Sequence, residues 1–310
     1  MQVERVSPCA GPGAVWTLTP RDPLWPEPWR TIDTPPVRVR GAGDPATLST
    51  PSIAVVGTRR PSPRGRAVAH RLARDLAAAG WTVVSGMALG IDAAVHEGAL
   101  AGGGPTVAVM ATGVDRTYPS CHVDLRRRIE AGGCTVTEAE DGVAPLPFVF
   151  PRRNRLISGL ARGVVVVEAP LRSGALQTAF LGLNQGREVF AVPGPVDDDG
   201  CRGCHHLLRQ GAHLAEGARD VFDVLGRPRP SSGEAGSGAG PENGAPLPLA
   251  GSAARWIWDR LDLTGLRLSE LRRSWAGSEV VWLEGLLALE MAGLIVRLPA
   301  GRVARRIWIP

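Results

Sequence analysis

From Ser52 onward, short apolar runs alternate with longer amphipathic stretches, and this alternation restricts the fold more than any other feature. The apolar runs are Ile53–Val56, Trp81–Val84, Val107–Met110, Val164–Val167 and Val189–Val192. Between them lie stretches of helical character: Arg64–Ala79, Ile91–Ala101, His122–Ala131, Asn154–Ala161 and Gly174–Gln185. Short runs of branched residues without polar alternation suit strands covered on both faces, and strands joined through helices pair in parallel. The pattern predicts an α/β fold: a mostly parallel sheet with helices on both faces. Such sheets bind ligands beyond the carboxyl ends of their strands, where turns and helix N-termini present amides.

The flanks read differently. Residues 1–50 are rich in proline and tryptophan with little periodicity, which predicts an extended, turn-punctuated lead-in. Arg187–Gly194 reads as a late strand closed by a Pro-Gly turn, and weakly helical segments run on to about Leu225, so the α/β domain is assigned to 51–225. Residues 226–250 are dominated by Gly, Pro, Ser, Ala and Glu, the composition of a flexible linker. Residues 251–310 predict helices at Ala253–Leu261, Leu268–Trp275 and Ser278–Met291, with Ser278 as N-cap and Gly293 as the C-terminal break. Strands Leu294–Leu298 and Val303–Ile309 would then pair across Pro299-Ala300-Gly301. Three helices and a hairpin make the pattern of a small C-terminal winged-helix domain.

A chain of 310 residues, 44% of them apolar, can bury a substantial core. Its net charge of +5 permits a polyanionic partner without naming one. All 35 basic residues are arginines; a composition bias of the source explains this simply, yet it makes any phosphate contact here a planar, potentially bidentate one. The N-terminus shows no secretory signal, and no apolar run approaches the roughly 18 residues of a membrane span. Five cysteines without a framework spacing suit free thiols in a reducing cytoplasm. The expected location is therefore cytoplasmic, away from membranes.

Candidate ligand residues cluster at the strand ends. Gly57-Thr58-Arg59-Arg60-Pro61-Ser62 occupies the place of a phosphate-gripping turn but is not G-x-G-x-x-G, so dinucleotide binding has poor support. Ser85-Gly86-Met87-Ala88-Leu89-Gly90-Ile91-Asp92 follows the second strand, and Asp92 lies one helical turn from His96, so an Asp–His hydrogen bond is expected. Arg116 follows the third strand, beside Tyr118, the chain's single tyrosine, which suits either stacking on a base or packing on its own loop. Phe150-Pro151-Arg152-Arg153-Asn154-Arg155 places three arginines and an asparagine where a helix should begin after a loop. Together Arg59, Arg116 and Arg153–Arg155 predict a basic rim converging on one sheet edge, the footprint of a single-stranded nucleic acid backbone.

Other signals point away from catalysis. Cys201-Arg202-Gly203-Cys204-His205 matches the haem-attachment pattern, but no export signal and no nearby axial methionine accompany it. Zinc would need a second ligand pair, and Cys121-His122 and Cys134 are far away in sequence. Ser173-Gly174 lacks the glycines of a nucleophile elbow, and Glu168 reads either as a base or as a carboxylate orienting arginines. No catalytic residue, cofactor or metal is expected. In the tail, the helix that would enter a major groove carries Glu279, Glu284 and Glu290 and no arginine, which favours protein contact over DNA reading; Arg302, Arg305 and Arg306 on the wing remain able to touch phosphate.

These ordered blocks resemble the DNA-processing protein A (DprA/Smf) family. The resemblance rests on I-A-V-V-G-T-R-R (Ile53–Arg60), S-G-M-A-L-G-I-D (Ser85–Asp92) with His96, and G-V-D-R-T-Y-P (Gly113–Pro119). It continues through F-P-R-R-N-R (Phe150–Arg155), V-E-A-P-L-R-S-G-A-L-Q-T (Val167–Thr178) and G-R-E-V-F-A-V-P-G (Gly186–Gly194), and covers about residues 20 to 225. It implies an extended Rossmann-like domain that binds single-stranded DNA without cutting it, dimerises, and helps load the RecA recombinase during natural transformation. Carried over by position, it implies DNA-binding roles for Gly57, Thr58, Arg59, Ser85, Gly86, Arg116, Arg153, Asn154, Arg155, Ser173, Gly174 and Thr178. The Cys201–His205 loop departs from the family pattern, and against that pattern the extra N-terminal helical domain of many relatives is expected to be missing or cut to about 20 residues.

The leading expectation is thus a non-enzymatic recombination mediator on single-stranded DNA. The alternative is a nucleotide-processing enzyme of the related lysine-decarboxylase-like (phosphoribohydrolase) fold, whose P-G-G-x-G-T-x-x-E signature is replaced here by S-G-A-L-Q-T without the glutamate. An NAD-dependent oxidoreductase is disfavoured by the missing glycine fingerprint at Gly57.

Overall fold

A computed structural model describes residues 14–228, 253–261, 266–291, 295–298 and 302–305. The chain divides near residue 231 into two compact units. In the first, the strands are β1 (Val15–Leu18), β2 (Val39–Gly43), β3 (Ser52–Val56), β4 (Thr82–Ser85), β5 (Thr106–Val109), β6 (Cys134–Thr137), β7 (Gly163–Val166), β8 (Glu188–Ala191) and β9 (His213–Leu214). The helices are α1 (Pro63–Ala78), α2 (Ile91–Ala101), α3 (Val123–Gly132), α4 (Val149–Leu160), α5 (Gly174–Asn184), α6 (Arg202–Arg209) and α7 (Ala218–Leu225).

The strands form one sheet in the order β1-β2-β6-β5-β4-β3-β7-β8-β9. Every neighbouring pair from β6 to β9 is parallel, whereas β2 runs antiparallel to β6 and β1 antiparallel to β2. The chain builds outward from β3 to β6, then returns to place β7 on the other side of β3. The β3–β7 junction is therefore the switch point, where neighbouring crossovers leave in opposite directions and open a crevice.

Alternate residues of each parallel strand enter different layers, as period-two geometry requires. Ile53 and Val55 pack with Leu72, Leu76, Val95 and Val221 of α1, α2 and α7. Ala54 and Val56 face the other way, towards Leu156, Leu160, Leu176 and Leu207 of α4, α5 and α6. The result is the three-layer α/β sandwich with helices on both faces.

The segment expected as a lead-in is built into this core. Trp29 is fully buried and its indole N–H donates to the Leu156 carbonyl at 3.0 Å, while Trp16 donates to Gly43 at 2.8 Å. Trp25 meets Trp29 edge-on at 5.8 Å. Two short strands with aromatic anchors lack the apolar alternation that would have marked them as sheet. Helix α4 also begins earlier than the expected Asn154, with Pro151 in the first turn, where its missing N–H costs nothing.

The second unit comprises α8 (Ala253–Arg260), β10 (Leu266–Arg267), α9 (Leu268–Arg273), α10 (Glu279–Met291), β11 (Ile295–Leu298) and β12 (Arg302–Arg305). Its strands pair antiparallel in the order β10-β12-β11, and the fold is a winged helix. Ile257, Leu271, Trp282, Leu286 and Leu289 form its core. The two-residue β10 was not anticipated. The wing turn Pro299–Gly301, Arg306 and most of the expected linker lie outside the described residues.

Candidate nucleic-acid interface

A cavity of about 520 Å³ opens at the switch point, between the turns that follow β3 and β7 and the first turns of α4 and α5. The β3 turn is stitched in place by two backbone bonds: Thr58 N–H donates to Glu168 O at 2.7 Å, and Ile91 N–H donates to Thr58 O at 3.1 Å. Gly57 is needed there because a Cβ would lie 2.6 Å from the Ile91 side chain. Arg59 is exposed, and its guanidinium lies over the Phe150 ring, 4.6 Å from the centroid. Tyr118 packs against the same ring at 5.9 Å and remains 42% exposed. Tyr118 thus packs on the first turn of α4 rather than on its own loop, and its exposed ring surface lines the cavity.

On the opposite wall, Ser173 caps α5 by accepting from Leu176 N–H at 3.3 Å. Thr178 donates to the Gly174 carbonyl at 3.1 Å, and Asn154 Nδ2 donates to the same oxygen at 3.4 Å. Arg172 and Gln177 are exposed on this wall. Among the described residues, neither Arg59 nor Arg172 forms an ion pair. Two guanidinium groups without ion pairs, the first turn of α5 and a tilted aromatic pair can together receive phosphates and an unstacked base.

Arg153 plays a different part. It is buried, and its Nη1 donates to the carbonyls of Gly86, at 2.6 Å, and Val109, while Nε donates to Asn154 Oδ1 at 3.3 Å. Gly86 allows this approach, since a Cβ would lie 2.6 Å from the guanidinium. Burial lowers the Arg153 pKa to about 10, against the opposing pull of Asp92. Asp92 is buried in turn and accepts from the Gly86 and Ala88 N–H groups at 3.2 Å each. Desolvation raises its pKa, against the attraction of Arg153. Arg153 thus ties the ends of β4 and β5 to α4 and forms the cavity floor.

Of the residues expected from sequence, Gly57, Thr58, Arg59, Arg153, Asn154, Ser173, Gly174 and Thr178 line this cavity. Gly86 lines a small adjoining hollow with Arg59 and Tyr118. Ser85 does not: it is fully buried and donates to the Val55 carbonyl at 2.7 Å. Arg155 is held in an ion pair with Glu138 at 2.7 Å. Arg116 is exposed but lines neither hollow. The expected convergence therefore brings Arg59 to Arg153 and leaves Arg116 apart. Arg172, absent from the expected set, is the first basic residue after β7 and was legible by that position.

Two further expectations are corrected. His96 does not bond Asp92; its Nδ1 meets Thr106 Oγ at 2.8 Å, and Thr106 donates onward to Val83 O at 2.7 Å. Glu168 orients Ser62 rather than an arginine, accepting its N–H at 2.9 Å and its hydroxyl at 2.6 Å. The Cys201–His205 loop is packing: Cys204 is fully buried against the Val166 carbonyl, and His205 pairs with Gly194 O at 3.1 Å. Burial and neighbouring carboxylates raise the Cys201 thiol to about 11, and burial raises Cys204 to about 12. Among the described residues no group of three or more His, Cys, Asp or Glu is placed to hold a metal, and no helix is long and apolar enough to cross a membrane.

The family model for DNA recombination-mediator protein A matches residues 16–226, which include every one of these turns. The chain belongs to that family. A DprA relative from Mycobacterium tuberculosis is 41% identical over 265 residues, covering 82% of this chain and 67% of its own length. The solved structure of DNA processing protein A from Streptococcus pneumoniae superposes with a TM-score of 0.66 at 38% identity, over 69% of this chain and 75% of that one. A Helicobacter pylori structure that describes a single-stranded DNA binding mode of its DNA processing protein A superposes with a TM-score of 0.62 at 30% identity, over 68% of this chain and 95% of that one. The chain is thus a DNA-processing protein of the recombination-mediator family.

Proposed function

We propose that this chain binds single-stranded DNA in the switch-point cavity and acts, as a homodimer in the cytoplasm, to load the RecA recombinase onto incoming strands during natural transformation. The observation that supports the reading best is Arg59, an exposed guanidinium without a carboxylate partner among the described residues, lying over Phe150 in the cavity that the first turn of α5 also lines. A guanidinium fork takes phosphate oxygens, and the ring beside it offers a face to a base that duplex stacking would withhold. Asp92 is the one carboxylate among the lining residues, and backbone amides hold it. The family's description as a recombination mediator supports the step to a recombinase, and the Helicobacter pylori relative offers a precedent for the ligand.

The test is fluorescence anisotropy on labelled oligodeoxythymidylate, with unlabelled single strands or duplex as competitor, across a salt series. Expected are a preference for single strands and a log–log salt slope of about −0.7 per phosphate contacted. Affinity indifferent to salt, or a preference for duplex, would overturn the proposal. RecA delivery is tested separately, as faster filament nucleation on strands bound by the chain.

A further inference from the structure

Helix α1 follows β3 at the switch point, where sheets of this topology commonly seat a ligand phosphate on helix amides. It is 16 residues long and has no acidic residue in its first turn. Arg64 and Arg66 stand there instead, so nothing local neutralises the positive end of the helix dipole. The anion arrives from 106 residues away. Ser62, the N-cap, accepts from Gly65 N–H at 2.9 Å and passes its own hydroxyl proton towards Glu168 Oε2 at 2.6 Å. Its backbone N–H donates to Glu168 Oε1 at 2.9 Å. Glu168 is 5% exposed, and any Cβ at position 65 would collide with Oε2. A glycine in a helix's first turn, making room for an anion, is what a bound phosphate would require at this place.

Helix α2 is neutralised likewise, by Asp92 in its own first turn. By contrast, α4 and α5, whose first turns line the cavity, have no acidic residue there. We infer that Glu168 is the resident anion of α1: it stands where a ligand phosphate would stand, closes that site to nucleotides, and leaves phosphate to the turns around the cavity. The hollow of about 180 Å³ beside it is lined by Arg64 and by Asp198, a second carboxylate, as well. This specificity role does not depend on the DNA reading, because it concerns the helix end that the cavity does not use.

The test compares thermal unfolding in inorganic phosphate and in chloride at equal ionic strength. It is made in an Arg59→Ala background, so that the cavity contributes little. The parent should show no phosphate-specific shift. Adding Glu168→Ala should give a rise in Tm of roughly 2–4 °C at phosphate several times its dissociation constant. Glu168→Gln, which keeps the volume, should give none. Should Glu168→Ala fail to fold in chloride, phosphate or formate must restore cooperative unfolding. A folded Glu168→Ala protein without the shift, an equal shift in the parent or in Glu168→Gln, or no rescue by either anion would overturn the inference.

Discussion

Arg153 and Gly86, 67 residues apart in sequence, meet through a 2.6 Å hydrogen bond from the guanidinium to the glycine carbonyl. The contact makes a residue that reads as a DNA ligand into a strut of the sheet edge. Arg153→Met should therefore cost roughly 3–5 kcal/mol in urea unfolding, because the buried Gly86 and Val109 carbonyls lose their donor and the buried Asp92 loses the attraction of the guanidinium. Adding Asp92→Asn should recover part of that loss. Strict additivity of the two variants would show that they do not interact.

Gly86→Ala perturbs the same strut from the other side. Its new methyl group would lie 2.6 Å from Arg153 Nη1, so the guanidinium must move. A loss of about 1–3 kcal/mol is expected. A crystal structure of the variant should show Arg153 displaced from the Gly86 carbonyl; an unmoved Arg153 with unchanged stability would contradict the account.

The burial of Arg153 was legible in the sequence, though only with α4 in hand. Leu156, Ile157 and Leu160 form the buried face of α4, and Arg153 precedes them by three, four and seven residues, on the same stripe. The R-R-N-R block alone does not say which guanidinium turns inward. The parallel core was legible for a simpler reason: branched runs such as Ile53–Val56 admit few other uses. Strand β6 was not, because Cys134–Thr137 holds two threonines, and Thr135 becomes buriable only when Glu130 accepts its hydroxyl at 2.7 Å. A hydrogen-bond partner five residues back in the sequence, on α3, is invisible to a scan for apolar runs.

Arg59 and Arg116 should separate in the binding assay. Removing the Arg59 guanidinium deletes a charge-assisted phosphate bond at the cavity mouth, and Arg59→Ala should weaken oligodeoxythymidylate binding by about 10-fold or more with Tm unchanged. The salt slope should become shallower by about 0.7. Arg116, exposed and outside the cavity, should cost clearly less on substitution. Equal losses for the two variants would place the strand on a wider path than the cavity defines.

Trp29 tests the lead-in. It is fully buried, donates to Leu156 O at 3.0 Å and packs on Trp25. Trp29→Ala should destabilise the α/β unit by roughly 3–5 kcal/mol, a core-sized loss. A surface-sized change under 1 kcal/mol, read from the denaturant midpoint, would mean that residues 15–43 are an appendage and not part of the sheet.

His96 gives the fold a pH dependence of determinate sign. Thr106 donates its hydroxyl proton to Val83 O, so it accepts from His96 Nδ1–H, which leaves Nε2 bare, buried and without a partner. Burial, with His122 and Arg153 adding repulsion, lowers the pKa from 6.5 to about 3. The unfolded chain therefore takes up a proton below about pH 6.5 that the folded chain refuses until about pH 3. The stabilising effect of the neutral ring is complete above pH 6.5 and is lost as pH falls through that window, by about 1.4 kcal/mol per pH unit. His96→Asn keeps a donor for Thr106 and cannot titrate. Between pH 6.5 and 5, before the carboxylates protonate, unfolding free energies of the parent should fall with pH while those of His96→Asn stay nearly level. Parallel profiles would show that the imidazole is already charged, or already solvated, in the native state.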